Sequence, residues 1–318
     1  MKLPRFLTTP PPAVALHIGP REVSAVAVSR SGGVPTVSSH AGQPLRTGAV
    51  APGLLGQNIV DRAAVGRAVS EVLARLGTRT RRVALVLPDA VAKVSLVRLT
   101  TVPQGAQDRD QVIRWHVRKA APFPIEEASV SSSPGAPSAD GGREFVVTVA
   151  RQAVIREYEG VCEEAGAWAG LVDLSTFSLV NAVLATARVP NGDWLVVHVS
   201  PGSDSIAILR AGDLIFFRTR VEGSDDSLAD MVHQTAMYYE DRLDGRGFAR
   251  VLVAGAGDGT PTGNLEEVRR QVDQRLGVPT ETVDPRRIVR ISDRVDADAA
   301  ALSTIASLVG VTAGAGGE

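Results

Sequence analysis

Two stretches almost 200 residues apart carry the same run of apolar and polar positions. The first is Val14-Ala15-Leu16-His17-Ile18-Gly19-Pro20, followed by Arg21-Glu22-Val23-Ser24-Ala25-Val26-Ala27-Val28. The second is Leu195-Val196-Val197-His198-Val199-Ser200-Pro201, followed by Gly202-Ser203-Asp204-Ser205-Ile206-Ala207-Ile208-Leu209. In register, His17 matches His198, Pro20 matches Pro201 and Ser24 matches Ser205. Each copy reads as a strand, a tight Pro/Gly turn and a returning strand, the pattern of a β-hairpin. The second copy extends through the turn Ala211-Gly212-Asp213 into Leu214-Ile215-Phe216-Phe217-Arg218. Two copies are too few for a solenoid and predict instead two similar lobes that face each other.

Between the copies the period changes. Arg82 to Leu87 is a short apolar strand ending at Pro88-Asp89, and Val94 to Leu99 is another. Asp108 to Ala121 places Ile113, Val117 and Ala120 or Ala121 at helical spacing, and Pro122 ends the helix. Ser131 to Gly142 is rich in Ser, Pro, Gly and Ala without apolar periodicity, which predicts a mobile loop. Phe145 to Val149 is a strand, and Ala153 to Ala165 a helix stopped by Gly166. Further on, Ser227 is the expected N-cap of a helix to about Leu243, with Leu228, Met231, Val232 and Thr235 inward. Arg250 to Ala254 is a buried-type strand leading into Gly255-Ala256-Gly257-Asp258-Gly259. Asn264 caps a helix to Leu276, Gly277 closes it, and Val278 to Val283 gives a short strand. A small apolar helix follows from Ala297 to Val309, with a frayed tail expected after Gly310.

The chain has 318 residues, enough for more than one core. Its 34 basic and 35 acidic side chains leave a net charge of −1, without the basic excess of a nucleic-acid binder. Aromatic residues make up 4%, which also argues against base-stacking platforms. The lone cysteine, Cys162, excludes an internal disulfide and is flanked by acids, as an inert buried thiol would be. The apolar run Ala13 to Ile18 is too short for a signal-peptide core. No stretch reaches the ~18–20 apolar residues of a membrane helix, so a soluble protein that meets membranes only through a partner is expected.

These pieces resemble the PilM family of type IV pilus assembly, within the actin, Hsp70 and sugar-kinase superfamily. The resemblance runs from about Ala13 to about Gly310. Its most specific part is Ile113-Arg114-Trp115 through Ala121-Pro122-Phe123-Pro124-Ile125-Glu126-Glu127. Leu87-Pro88-Asp89, Val102-Pro103, Val172-Asp173-Leu174-Ser175-Thr176-Phe177-Ser178-Leu179, and Leu265 to Pro285 match in order and spacing. The resemblance implies an α/β, two-lobed actin-like fold, a duplicated ribonuclease H-like unit with an inserted α+β subdomain in the first lobe. Lobe I would span 13–188 with the insert at about 82–151, and lobe II 189–312, with flexible termini at 1–12 and 313–318. It also implies a cytoplasmic scaffold, peripheral on the inner membrane, that binds the N-terminal cytoplasmic segment of a PilN-like single-span protein and couples it to cytoplasmic pilus motor components. The partner peptide would lie near Trp115, Pro122, Phe123 and Pro124; the alternative is that Phe123 plugs a core at a helix-to-strand corner.

Relatives hold ATP or ADP with magnesium between the lobes. By resemblance the nucleotide positions are His17, Gly19, Ser24, His198, Gly202, Ser203, Gly255 and Gly257. The superfamily begins each hairpin with Asp, whereas this chain has His17 and His198, and imidazole is a poor substitute for a hard oxygen ligand of magnesium. Pro20 has no N–H to offer a phosphate, and Glu22 would repel one. The expectation is a degenerate site: no catalytic residue, no metal, no ATP hydrolysis, and residual nucleotide binding left open. The alternatives are an actin-like ATPase or sugar kinase, or a relative of the cytoplasmic domain of GspL from type II secretion. Arg114, Arg118 and Lys119 form a basic strip that could meet acidic partners, anionic lipid or solvent. Tyr238 and Tyr239 close the helix from Ser227.

Overall fold

The computed structural model describes residues 10–29, 35–138, 141–186, 192–255, 264–295 and 299–313. In chain order the first elements are β1 (Val14–Ile18), β2 (Glu22–Ser29), β3 (Thr36–Pro44), α1 (Arg62–Arg75), β4 (Arg82–Leu87), β5 (Ala92–Leu99) and α2 (Ala106–Val117). They are followed by β6 (Ala128–Pro137), β7 (Arg143–Arg151), α3 (Gln152–Glu164), β8 (Trp168–Leu174) and α4 (Ser175–Thr186). Next come β9 (Asp193–Ser200), β10 (Ser203–Arg210), β11 (Asp213–Val221), α5 (Leu228–Arg242) and β12 (Phe248–Gly255). The chain closes with α6 (Leu265–Leu276), β13 (Thr280–Thr282), β14 (Arg290–Ile291) and α7 (Ala299–Ala313).

Three sheets organise these elements: β14-β3-β2-β1-β4-β8, β11-β10-β9-β12-β13, and a small sheet β5-β7-β6. The two large sheets share one plan. In each, an antiparallel hairpin supplies a strand that pairs in parallel with a later one, β1 with β4 and β9 with β12. The strands between neighbours are apolar on both faces, as sheets covered on both sides require. The first sheet buries one face against α1 and α3, through Leu16, Leu85, Val69 and Tyr158. The second buries one face against α5 and α6, through Val197, Ile206, Met231 and Val268.

The remaining faces of both sheets meet a shared layer, the helix pair α4 and α7. Ala182, Ile305, Leu308 and Val309 pack on β1, β2 and β4, while Leu179, Val183 and Ala306 pack on β9, β10 and β12. The two helices cross closely at Gly310, where a Cβ would lie 1.6 Å from the Ser178 carbonyl oxygen. The Val311 N–H donates to Ser178 Oγ at 2.9 Å across the same crossing. Burial of Val311 and Thr312 continues α7 past Gly310, so the tail expected to fray there is helical to Ala313.

Helix ends follow their local chemistry. Ser227 and Asp230 form a reciprocal capping box at α5, Asn264 caps α6, and Gly277 closes α6 in the left-handed region at φ +65°. Helix α2 stops at Val117, with a looser turn to Ala121, rather than running regularly to Pro122.

The expected loop from Ser131 to Gly142 is corrected over most of its length, because Ala128–Pro137 is a strand. β6 pairs antiparallel with β7 from Ala128↔Arg151 to Pro137↔Arg143. It is an edge strand, where serines face solvent and prolines need give no ladder hydrogen bond, so it has no apolar alternation to announce it. The small sheet begins at Ala92, while β4 within the expected insert of 82–151 belongs to the six-stranded sheet. The expected second lobe, 189–312, also divides: β14 and α7 return to the six-stranded sheet. Of the termini expected to be flexible, 1–9 and 314–318 lie outside the described residues.

Candidate functional site

The internal echo becomes a structural equivalence. His17 faces Ser24 across β1 and β2, and His198 faces Ser205 across β9 and β10, at the same register position. Both pairs point toward the junction of the two large sheets. There they meet Asp89, which follows β4, and Asp173 and Thr176, which lie at the turn from β8 into α4.

Asp89 is the hub. Its side chain is fully buried, and it accepts the Thr176 hydroxyl, the Thr176 N–H at 3.1 Å and the Ser205 hydroxyl at 2.8 Å. The Thr176 hydroxyl also lies 2.8 Å from His198 Nδ1, and Ser205 Oγ lies 3.0 Å from Thr219 Oγ1. His198 Nδ1 is 3.9 Å from the Asp89 carboxylate. Burial would push the Asp89 carboxyl up, but His198 and the Thr176 hydrogen bonds outweigh it and hold the group below the usual range. Thus a carboxylate from the first large sheet is held by side chains of the second, with Thr176 between them.

The first hairpin's side of the junction is less complete. The Ser24 hydroxyl is buried without a hydrogen-bond partner, as is that of Ser175 beside Asp173. His17 folds over Gly19, its Cε1 2.7 Å from where a Cβ would stand. Burial, then the charge of His198, pushes the His17 imidazole down to about 4, against an upward pull from Asp89. Asp173 moves the other way: burial first, and then the Asp89 charge, raise it to about 7, despite the Leu174 N–H it accepts at 2.8 Å.

The positions expected to meet a nucleotide are mostly brought together, but in a closed arrangement. Gly19 N–H is taken by Glu22 O at 2.9 Å within its own turn. Gly202, at φ +87°, brings the second turn against the first, a Cβ there being 3.4 Å from Pro20 Cγ. Ser200 Oγ donates to the Ser203 carbonyl at 2.8 Å, and Ser203 is buried. Gly255, at φ +84°, ends β12 beside His198 and Val199; Gly257 lies outside the described residues. Magnesium–nucleotide binding asks for open hard-oxygen ligands and free backbone N–H groups at these turns. Imidazoles at 17 and 198, a proline where one turn touches the other, and an Asp89 already engaged by two hydroxyls do not fit that group. Among the described residues no cluster of three or more His, Cys, Asp or Glu side chains could hold a metal.

Asp89, Asp173 and Thr176 were legible in sequence only as family landmarks, because what joins them to His198 is tertiary. In the region expected to meet a partner peptide, Phe123 fills the core of the small sheet with Ile113, Val117, Phe145 and Val147. Pro122 and Pro124 flank it on the surface. Trp115 stands on the opposite side of α2, 71% exposed.

Two duplicated sheets around a shared helix pair, with paired hairpins at the junction, define the α/β actin-like fold. The family model for type IV pilus assembly protein PilM matches residues 15–242, and the chain belongs to that family. A solved structure described as a PilM-PilN type IV pilus biogenesis complex superposes with a TM-score of 0.78 at 19% identity, covering 94% of this chain and 98% of that one. Looser likenesses are a Bacteroides thetaiotaomicron protein with an actin-like ATPase fold and unknown function (8% identity, TM-score 0.49, coverage 85% and 90%). Another is the cytoplasmic domain of EpsL, an inner-membrane component of the Vibrio cholerae type II secretion system (10% identity, TM-score 0.47, coverage 82% and 93%). No described helix is long and apolar enough to cross a membrane.

Proposed function

We propose that this PilM-family protein is a nucleotide-independent scaffold of type IV pilus assembly. It holds the N-terminal segment of a PilN-like membrane protein at the cytoplasmic face of the inner membrane, from which it meets the pilus motor components. Family membership and the likeness to PilM in its complex with PilN support the scaffold. The observation that carries nucleotide independence is the Asp89 junction, in which protein hydroxyls occupy the carboxylate between the two large sheets. A scaffold needs a fixed spacing between its lobes, and a junction sealed by its own side chains supplies one without a ligand.

The test pairs two measurements. A labelled peptide from the cytoplasmic end of the PilN-like protein should bind with the same affinity with or without ATP and magnesium. Millimolar nucleotide should leave the melting temperature unchanged. A ligand at ~100 times its dissociation constant adds about 2.7 kcal/mol, or several degrees at ~2–4 °C per kcal/mol. A shift of that size would overturn the nucleotide-independent reading, and absence of peptide binding would overturn the scaffold.

One observation favours a second reading, an enzyme of the same superfamily. Asp173, raised to about 7 by its burial, is a carboxyl able to exchange a proton near neutral pH at the junction of the two large sheets. Phosphate release from ATP that disappears in Asp173→Asn would establish it.

A further inference from the structure

We infer that the outer face of α2 is a docking surface for anionic lipid headgroups, centred on Trp115. The helix buries Ile113 and Val117 in the small core, which turns Trp115 directly outward with 71% of its surface exposed. On a helix its surface neighbours are three and four residues away: Gln111, Val112, Arg118 and Lys119. None is acidic. Arg118 and Lys119 are exposed, and neither has an ion-pair or hydrogen-bond partner among the described residues.

Of the acids near α2, two are paired and one lies at its other end, while exposed Glu126 stands beyond Pro124, past the end of the helix. Asp110 pairs with Arg114 at 2.7 Å, and Glu127 pairs with Arg151 at 2.9 Å. Asp108, two turns before Trp115, folds back toward Gly105 at the other end of the helix. The turn after α2 keeps helical hydrogen bonding, with Ala121 N–H donating to Val117 O at 3.1 Å. Arg118 and Lys119 therefore stay on the side of Trp115.

The chemistry of this face selects its occupant. A tryptophan has an apolar body and a polar N–H, and it is enriched where hydrocarbon meets headgroups. Flanking cations are drawn to the negative surface of an anionic leaflet. A ring raised on the convex side of a helix can enter a fluid surface, whereas a peptide would have to bring its own concavity. One ring and two cations bind weakly, and stable anchoring takes a second signal. In that respect the inference rests on the scaffold reading: the contact orients a chain that a membrane-protein partner already holds at the bilayer.

The experiment is sedimentation of the full chain with phosphatidylcholine vesicles, with and without phosphatidylglycerol. Retention should require phosphatidylglycerol, fall at high salt, and drop about thirtyfold or more in Arg118→Glu/Lys119→Glu and severalfold in Trp115→Ala. Unchanged melting curves would show that both variants fold. The difference in fluorescence between the native chain and Trp115→Phe isolates this ring, and its emission should shift to the blue on anionic vesicles. Equal retention of the variants, indifference to lipid charge, or capture of an acidic peptide without vesicle retention would overturn the inference. The PilN-type peptide assay separates the two readings. A chain that binds the peptide and ignores vesicles loses this inference alone. One that takes vesicles through Trp115 and ignores the peptide loses the scaffold reading alone.

Discussion

The hairpins β1–β2 and β9–β10 have the same backbone and the same residues at the junction, yet opposite polar fates. In the second, His198 and Ser205 are drawn into bonds around Asp89. In the first, Ser24 has no partner and His17 is held neutral. A duplicated fold thus fixes where side chains arrive but not whether their hydrogen bonds are met. That depends on which copy faces the single carboxylate after β4.

The comparison breaks most violently if that carboxylate is removed. Asp89→Ala leaves two hydroxyls and an imidazole facing each other in a buried site. Losing one partner of such a group costs roughly 3–5 kcal/mol, so the melting temperature should fall by on the order of 10 °C. A loss below ~1 kcal/mol in a denaturant titration would mean the junction is not held by Asp89.

Asp173→Asn should act in the opposite direction. A carboxyl raised from 3.8 to about 7 in the folded chain favours the native state at low pH, and this advantage is lost as pH rises from about 4 to about 7. The amide never ionises. The variant should therefore be more stable than the native chain at pH 8, by on the order of 4 kcal/mol, and nearly equal to it near pH 4. Stability curves for the two proteins that stay parallel across that range would refute the assignment.

How much of this was legible in the chain follows from range. The pairing of each His with its Ser across the hairpin is a finding of the structure. The hairpin echo itself is local, so the match of His17 with His198 and of Ser24 with Ser205 could be read from the repeated run alone. The clasp could not: Thr176 and Ser205 reach Asp89 from 87 and 116 positions away, and only the packing of α4 between two sheets brings them there. Strand β6 was hidden for a different reason, since an edge strand of serines and prolines buries little and has no period to show. On α2, the spacing of Ile113 and Val117 marked the inward side, yet the motif Trp115 to Pro124 read as one unit although its two aromatics face opposite ways. The return of α7 to the first sheet was invisible in a small apolar segment equally suited to either lobe.

The two histidines sharpen the asymmetry at a smaller scale. His198→Ala should cost about 2 kcal/mol at pH 8, because the Thr176 hydroxyl loses a buried partner. His17→Ala should cost about 1 kcal/mol there, through lost packing alone. The pH dependence of His17 has the opposite sign to that of Asp173. With its folded value pushed down to about 4, the unfolded chain takes up the proton first, and stability is lost as pH falls from 6.5 toward 4. Near pH 4.5 the His17→Ala cost should vanish or reverse. A cost that grows on acidification, followed by thermal unfolding at both pH values, would contradict a neutral His17.

The finest test exchanges the matched serines. Ser205 Oγ donates to a buried carboxylate, so Ser205→Ala should cost about 2 kcal/mol, the range for a hydrogen bond to a charged group. Ser24 Oγ is equally buried but has no partner, so its hydroxyl already carries a desolvation penalty in the folded chain. Ser24→Ala removes that penalty at almost constant volume and should leave stability unchanged or raise it by up to ~1 kcal/mol. The same atom is thus deleted at the same register position in two copies of one hairpin, with effects of different size and opposite tendency. Equal losses in both variants, measured by urea unfolding, would mean that Ser24 has a partner in solution, and the two hairpins would then be alike in chemistry as well as in backbone.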